Sequence, residues 1–307
     1  MNLIEISLVL VSLAAGDPKV TLQAPDVHVK GEPFSVKLVV EAPADGGTVE
    51  GWKLTAAGFQ VDGKPLAAQG SEAAVELAAG EKKTVELDLA SMLPASGEFE
   101  LVWGSLPAEK VRVLEPAPKD VKFMDEAAVP AADLTKYWVL LRTNRGGIVT
   151  EFWPDVAPNH VRNFLDLAST GFYDGVIFHR VSPGFMIQGG DPTGKGTGDG
   201  PRRLKAEFSD KKHEPGVLSM ARSPDPNSAS CQFFIMHAKY PSLDGQYSVF
   251  GKVVTGMETV DRIANAPGKP IPGAGGNRPN DPQVIERAIV VMAPSDAGTW
   301  QDAKAAK

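Results

Sequence analysis

The 307-residue chain carries a formal charge of −7, with 43% hydrophobic and 22% charged residues, a balance that builds packed cores and excludes a largely disordered chain. Acidity without any run of Lys or Arg argues against a nucleic-acid partner, and the length allows two domains. A single cysteine, Cys231, excludes an intramolecular disulfide, CxxC redox chemistry and a cysteine-cluster metal site, and suits an oxidising compartment.

Leu3 to Ala15 is apolar apart from Glu5, Ser7 and Ser12, and ends in Ala14, Ala15 and Gly16. Residues 1–16 therefore read as a short secretory signal, with Glu5 where a basic residue is usual. The alternative is a buried first strand. A signal places the protein in the periplasm or outside the cell; a retained strand leaves it in the cytoplasm. The stretch is shorter than the ~20 apolar residues that span a bilayer, so no transmembrane segment is expected.

Residues 17–115 follow a period of two. Runs over 34–40, 84–89 and 98–103 alternate apolar and polar side chains, and glycine-bearing turns such as Asp45-Gly46-Gly47 and Asp62-Gly63 separate them. Roughly seven short strands in ~100 residues suit an immunoglobulin-like β-sandwich, here without the usual cysteine pair. Prolines and small acidic residues over 116–134 read as an interdomain linker.

A second domain is expected over 135–293, followed by a tail, 294–307. It opens with a hairpin whose arms are Tyr137–Arg142 and Ile148–Phe152. A helix follows from Pro158 to Ala168, with Val161, Phe164, Leu165 and Ala168 on one face and Gly171 as its stop. Strands and glycine-rich loops lead to a short helix, Met257–Ile263, and a last strand, Val284–Val291. The fold class is thus mainly β: a closed antiparallel barrel with two capping helices, preceded by the sandwich.

Two segments carry the chemistry: FHRVSPGFMIQGG over 178–190, and SCQFFIM over 230–236, followed by LDG at 243–245 and VFGK at 249–252. In these motifs and their order the chain resembles the cyclophilin family of prolyl isomerases, from Tyr137 to Met292. The resemblance implies peptidyl-prolyl cis/trans isomerase activity on proline-containing unfolded or flexible protein segments, with neither cofactor nor metal.

The residues agree with that reading. An X–Pro imide rotates slowly because C–N resonance imposes a barrier of ~18–20 kcal/mol. Lowering it needs a grip on the proline ring and a donor for the nitrogen lone pair released when conjugation is lost. Arg180, donor-only and always charged, is the expected catalytic residue. The resemblance assigns Phe185, Met186, Phe234 and Leu243 to the ring pocket. By alternation Met186 shares a strand face with Gln188, and Gln232 shares one with Phe234, so each face offers an apolar group for the ring and an amide for the substrate backbone. The resemblance also implies that His179, Ala221 and Arg222 line the peptide groove, with support of the strand as the alternative for His179.

Phe233 and Ile235 alternate with Gln232 and Phe234 and are expected in the core, as is Phe178. His28, His160, His213 and His237 are expected to be structural or on the surface, and Cys231 a buried small hydrophobe. The segment 189–197 nearly spells a phosphate loop, but Gly196 takes the Ser/Thr position and no helix pattern follows.

Three positions differ from common family patterns. Ser242 stands where many eukaryotic members have tryptophan, which implies weak cyclosporin binding. Tyr247 stands where histidine is frequent in the ring pocket. Arg222 stands where asparagine is common, as in the bacterial form. The expected function is a folding assistant for exported proteins; the alternative is a non-catalytic proline-peptide-binding or scaffold protein of the cell envelope.

Overall fold

The computed structural model describes residues 18–44, 49–55, 59–66, 72–95, 97–104 and 106–295. The expected signal lies outside the described residues, as do the Asp45–Gly47 turn and most of the expected tail. The chain divides into two units, 1–115 and 116–307.

The first unit is built from short strands: β1 Lys19–Gln23, β2 Val27–Val29, β3 Ser35–Glu41, β4 Val49–Thr55, β5 Phe59–Val61, β6 Lys64–Pro65, β7 Glu72–Leu77, β8 Lys82–Asp88, β9 Gly97–Trp103 and β10 Glu109–Leu114. They form sheets of order β1-β3-β8, β2-β10-β9-β5-β6 and β4-β7. Val36, Leu38 and Val40 of β3 point inward at alternate positions, as do Phe99, Leu101 and Trp103 of β9, and both sets meet in one apolar core. Two sheets thus share a core, which is what alternation in both predicts. The β2–β10 pair is parallel.

The second unit holds β11 Tyr137–Thr143, β12 Gly146–Phe152, β13 Arg180–Ser182, β14 Met186–Gly189, β15 Val217–Met220, β16 Phe233–Met236, β17 Val249–Thr255, β18 Gly268–Pro270, β19 Asn277–Pro279 and β20 Ile285–Met292. Two helices accompany them, α1 Pro158–Ser169 and α2 Met257–Ala264. The strand order is β18-β19-β13-β14-β16-β15-β17-β12-β11-β20. The chain just before β13 also meets the chain leading into β20: Phe178 N–H donates to Gln283 O and Ile285 N–H to Val176 O, both at 2.8 Å. Pro158 opens α1, and Val161, Phe164, Leu165 and Ala168 are buried against the sheet. Phe178, Phe233 and Ile235 lie in that same core; alternation with Gln232 and Phe234 accounts for Phe233 and Ile235, whereas Phe178 precedes the strand that begins at Arg180.

The expectation of a linker over 116–134 is corrected. Phe123, Val129 and Leu134 are buried in the core of the second unit, and Ala117 N–H donates to Val290 O at 3.0 Å. Proline and small residues punctuate this segment, but three well-spaced apolar side chains suffice to anchor it. No described helix is long and apolar enough to cross a membrane.

Candidate active site

β13 and β14 form a hairpin that places Arg180 opposite Gln188 and Ser182 opposite Met186; β16 continues the ladder, with Phe234 opposite Gln188 and Met236 opposite Met186. Side chains alternate across a sheet. Val181, Ile187, Phe233 and Ile235 therefore enter the main core, while Met186, Phe234 and Met236 join Val217 and Val249 in a second apolar cluster on the other face. Phe185, Ala221, Leu243 and Tyr247 pack against that cluster, partly exposed. The expected ring-pocket residues Phe185, Met186, Phe234, Leu243 and Tyr247, with Ala221 of the groove set, thus converge from separate segments.

Arg180 stands at the edge of this cluster, half-buried, its Cζ 5.8 Å from the centre of the Phe185 ring. Its Nε donates to Gly275 O at 2.6 Å and its Nη1 to Gln188 Oε1 at 3.1 Å. Gln188 Nε2 then donates to Gln232 Oε1 at 3.1 Å, and Gln232 Nε2 to Gly198 O at 2.9 Å. The two amides, expected to hold substrate, thus also form a relay that orients the guanidinium. Among the described residues none accepts from Nη2. Burial draws the Arg180 pKa down, partly offset by the nearby Tyr247 phenol.

Tyr247 meets Phe234 edge-on, with centroids 5.8 Å apart, and carries the Arg222 guanidinium 4.6 Å above its ring. Arg222 is held by backbone carbonyls: Nη2 donates to Gln246 O at 2.9 Å and Nη1 to Ser223 O at 2.9 Å. His179 is placed elsewhere. It is buried beneath the glycine-rich loop, near Gly196, with no partner for Nδ1, and burial lowers its pKa to about 4. The expectation that it lines the groove is corrected: His179 precedes the strand that starts at Arg180, and its ring packs against Gly196 of the loop.

That loop is wound on a carboxylate. Asp191 accepts from Thr193 N–H at 2.7 Å, Thr193 Oγ1 at 2.8 Å and Thr197 N–H at 3.0 Å, and also from Gly196 N–H. Burial alone would raise its pKa; these donors outweigh that and bring it to about 2. An anion that belongs to the chain already fills the nest, so the phosphate-loop reading has no vacancy to serve. Cys231 is buried, and burial raises its thiol pKa to about 12, which removes it as a nucleophile. Among the described residues no group of three His, Cys, Asp or Glu could hold a metal ion.

Several supporting residues escape sequence reading. Gly275 lies in the loop of the β18–β19 hairpin, which pairs with β13 through Val181 and Asn277. His213 is buried behind the ring pocket, parallel to Phe234 at 6.1 Å. It lies 3.0 Å from Asp244 Oδ1 through Nδ1 and 3.1 Å from Ser219 Oγ through Nε2, and burial, only partly opposed by Asp244, lowers its pKa. It joins β15 to the loop that carries Leu243 and Tyr247. Gly184 N–H donates to His237 Nδ1 at 2.9 Å, so the proton sits on Nε2, which meets Asp261 Oδ1 at 2.7 Å; this ties down the bend that presents Phe185. Scattered histidines without a motif give no sequence signal for such work. The Pro272–Gly276 cluster marks a turn but not its destination.

The model of the family described as "Cyclophilin type peptidyl-prolyl cis-trans isomerase/CLD" matches residues 138–290. The chain is 42% identical over 159 residues to "Peptidyl-prolyl cis-trans isomerase ppi1" of Schizosaccharomyces pombe, a match that covers 50% of this chain and 98% of the yeast protein. The chain belongs to the cyclophilin-type isomerase family. It is also 43% identical over 171 residues to "Peptidyl-prolyl cis-trans isomerase-like 2" of Cryptococcus neoformans; that match covers 53% of this chain but only 29% of the fungal protein's length. A solved cyclophilin of Cryptosporidium parvum, crystallised in the presence of the dipeptide Ala-Pro, is 35% identical, with a TM-score of 0.47 over 52% of this chain and 99% of that one. The matched residues contain the whole Arg180 relay and the ring cluster, and leave the first unit outside the cyclophilin domain.

Proposed function

We propose that the second unit is an active peptidyl-prolyl cis/trans isomerase acting on proline-containing unfolded or flexible protein segments. The Phe185–Met186–Phe234–Leu243–Tyr247 surface receives the proline ring, and its apolar contact fixes one side of the imide. As the C–N bond twists, the nitrogen lone pair leaves conjugation and becomes an acceptor. Arg180 Nη2 donates to it, an interaction available only in the twisted state and therefore catalytic rather than uniformly binding. No bond to substrate forms or breaks. The observation that carries this reading is the oriented, half-buried guanidinium, with Nε and Nη1 bound and Nη2 without an acceptor among the described residues, at the edge of an apolar surface.

The deciding measurement is kcat/KM on a prolyl tetrapeptide for wild type and Arg180→Ala. Loss of one donor preorganised for a transition state costs roughly a hundredfold or more, mainly in kcat. Wild type no faster than buffer would leave only a proline-peptide binder. Unchanged activity in the variant would remove Arg180 from the mechanism.

The context of the enzyme is inferred from features outside the Arg180 relay. The apolar stretch before Gly16 supports export, and with it a role in folding exported proteins of the periplasm or beyond. The Arg222 segment supports a bacterial-type cyclophilin. The shared core of two sheets in the first unit supports an immunoglobulin-like sandwich that gathers clients, since a linked second site raises effective concentration without new contacts. The pairing of 176–178 with 283–285 supports a closed barrel. The exposed Ser242, in place of an indole, supports weak cyclosporin binding.

A further inference from the structure

Arg180 and Arg222 flank the ring cluster from two sides, one beside Phe185 and the other over Tyr247. Both are held by neutral acceptors: Gly275 O and Gln188 Oε1 for Arg180, Gln246 O, Ser223 O and Pro224 O for Arg222. Such partners fix a guanidinium without cancelling its charge. Among the described residues neither arginine is paired with a carboxylate. The acidic side chains of the surrounding loops are committed elsewhere: Asp244 to His213 and Lys212, Glu214 to Lys239, Asp199 to Arg203, and Asp225 to the Asn227 N–H. Asp191 is enclosed by its own loop. A chain of net charge −7 thus keeps two uncompensated positive charges at the rim of its proline pocket.

From this arrangement we infer that the site selects acidic substrates: segments with Glu or Asp next to the proline, with Arg222 as the specificity-determining residue. The inference rests on the isomerase reading and adds a substrate class to it. Arg180 has its charge assigned to the imide nitrogen, so it contributes mainly long-range attraction. Arg222 is clamped across Tyr247, on the wall of the pocket, where a flanking carboxylate gains from its field without displacing a protein partner. A flanking lysine meets the same field with the opposite sign. Interactions of this kind act on encounter and on KM more than on kcat.

The test uses the full chain and three blocked peptides, Ala-Xaa-Pro-Phe with Xaa as Glu, Ala or Lys. Exchange NMR reports isomerisation without a coupling protease, and a parallel titration reports binding. The expected order is Glu above Ala above Lys, each step roughly two- to fivefold in kcat/KM, the range for an exposed ion pair. The Glu-to-Lys ratio should collapse toward one near molar salt, where the Debye length is about 3 Å. Arg222→Gln should shrink that ratio and Arg222→Glu should invert it. The salt arm needs no variant, so a variant that fails to fold does not remove the test. Equal kcat/KM for the three peptides, or a ratio indifferent to salt, would overturn the charge selection and leave the isomerase standing. No turnover on any peptide, with the binding order Glu above Ala above Lys retained, would overturn the isomerase and leave the charge selection standing.

Discussion

At the scale of single residues, the site depends on how a long, flexible guanidinium is kept in one pose. Arg180 spends two of its nitrogens on Gly275 O and Gln188 Oε1, and each bond removes rotamers that would take Nη2 away from the imide. Gln188→Leu keeps the size but removes the acceptor, releasing one side of Arg180 and breaking the relay to Gln232. A hydrogen bond to a charged group contributes about 1.5 kcal/mol or more, so kcat/KM should drop about tenfold, with the loss in kcat. Steady-state kinetics on one peptide check this; a change confined to KM would mean that Gln188 only holds substrate. Alternation pairs Met186 with Gln188 and Gln232 with Phe234, and the motifs' resemblance adds Arg180 to them. The resemblance gives His179 to the groove, and the structure buries it under the glycine loop, because it lies just before β13, where no strand register sets its direction.

At the scale of elements, the β18–β19 hairpin carries the carbonyl of Gly275 to Arg180. Gly276 makes that approach feasible: its φ is +89°, and a Cβ there would lie 2.8 Å from Val181 O. Gly276→Ala therefore meets both an unfavourable backbone conformation and a clash. A left-handed residue with a side chain costs roughly 1–2 kcal/mol, and the displaced loop should cost activity as well. Urea denaturation with parallel kinetics tests this; loss of stability with unaltered kcat would detach the hairpin from the site. This hairpin was illegible in the sequence, because a cluster of glycines and prolines specifies a turn but not the strand it docks on. The hairpin β11–β12 and both helices were legible, since their signals (two apolar runs around the glycines at 146 and 147, helical spacing, a proline at a helix start) are local. The segment 116–134 misled for the converse reason: its composition is that of a linker, and its anchoring depends on a core formed by distant strands.

At the scale of the whole molecule, buried ionisable groups set its response to acid. His179 has a folded pKa of about 4 against an ordinary 6.5, so the unfolded chain binds its proton more readily. Its contribution, on the order of 3 kcal/mol, is complete above pH 6.5 and is lost as pH falls toward 4. His213 is shifted in the same direction. Asp191 behaves as a depressed acid: from an ordinary 3.8 it falls to about 2, so its stabilisation survives the histidine window and disappears only below about pH 4. Denaturation midpoints should therefore decline between pH 6.5 and 4, then fall again on further acidification. A midpoint flat across the first window would show that His179 is protonated without cost. Two compact units also separate the chemistry from the rest of the chain, since the cyclophilin match begins after the first unit has ended.

By itself the sequence determined the mainly β class, the two-part organisation, the cyclophilin resemblance and most members of the apolar cluster beside Arg180, because strand parity and contiguous motifs are properties of neighbouring residues. Only the tertiary structure decided which carbonyl orients Arg180, that His213 and His237 brace the segments around Phe234 and Phe185, and that Arg222 lies across Tyr247 with no carboxylate beside it among the described residues. Those facts join residues tens of positions apart. Burial and pairing across such distances are set by how the whole sheet packs, which no local pattern encodes.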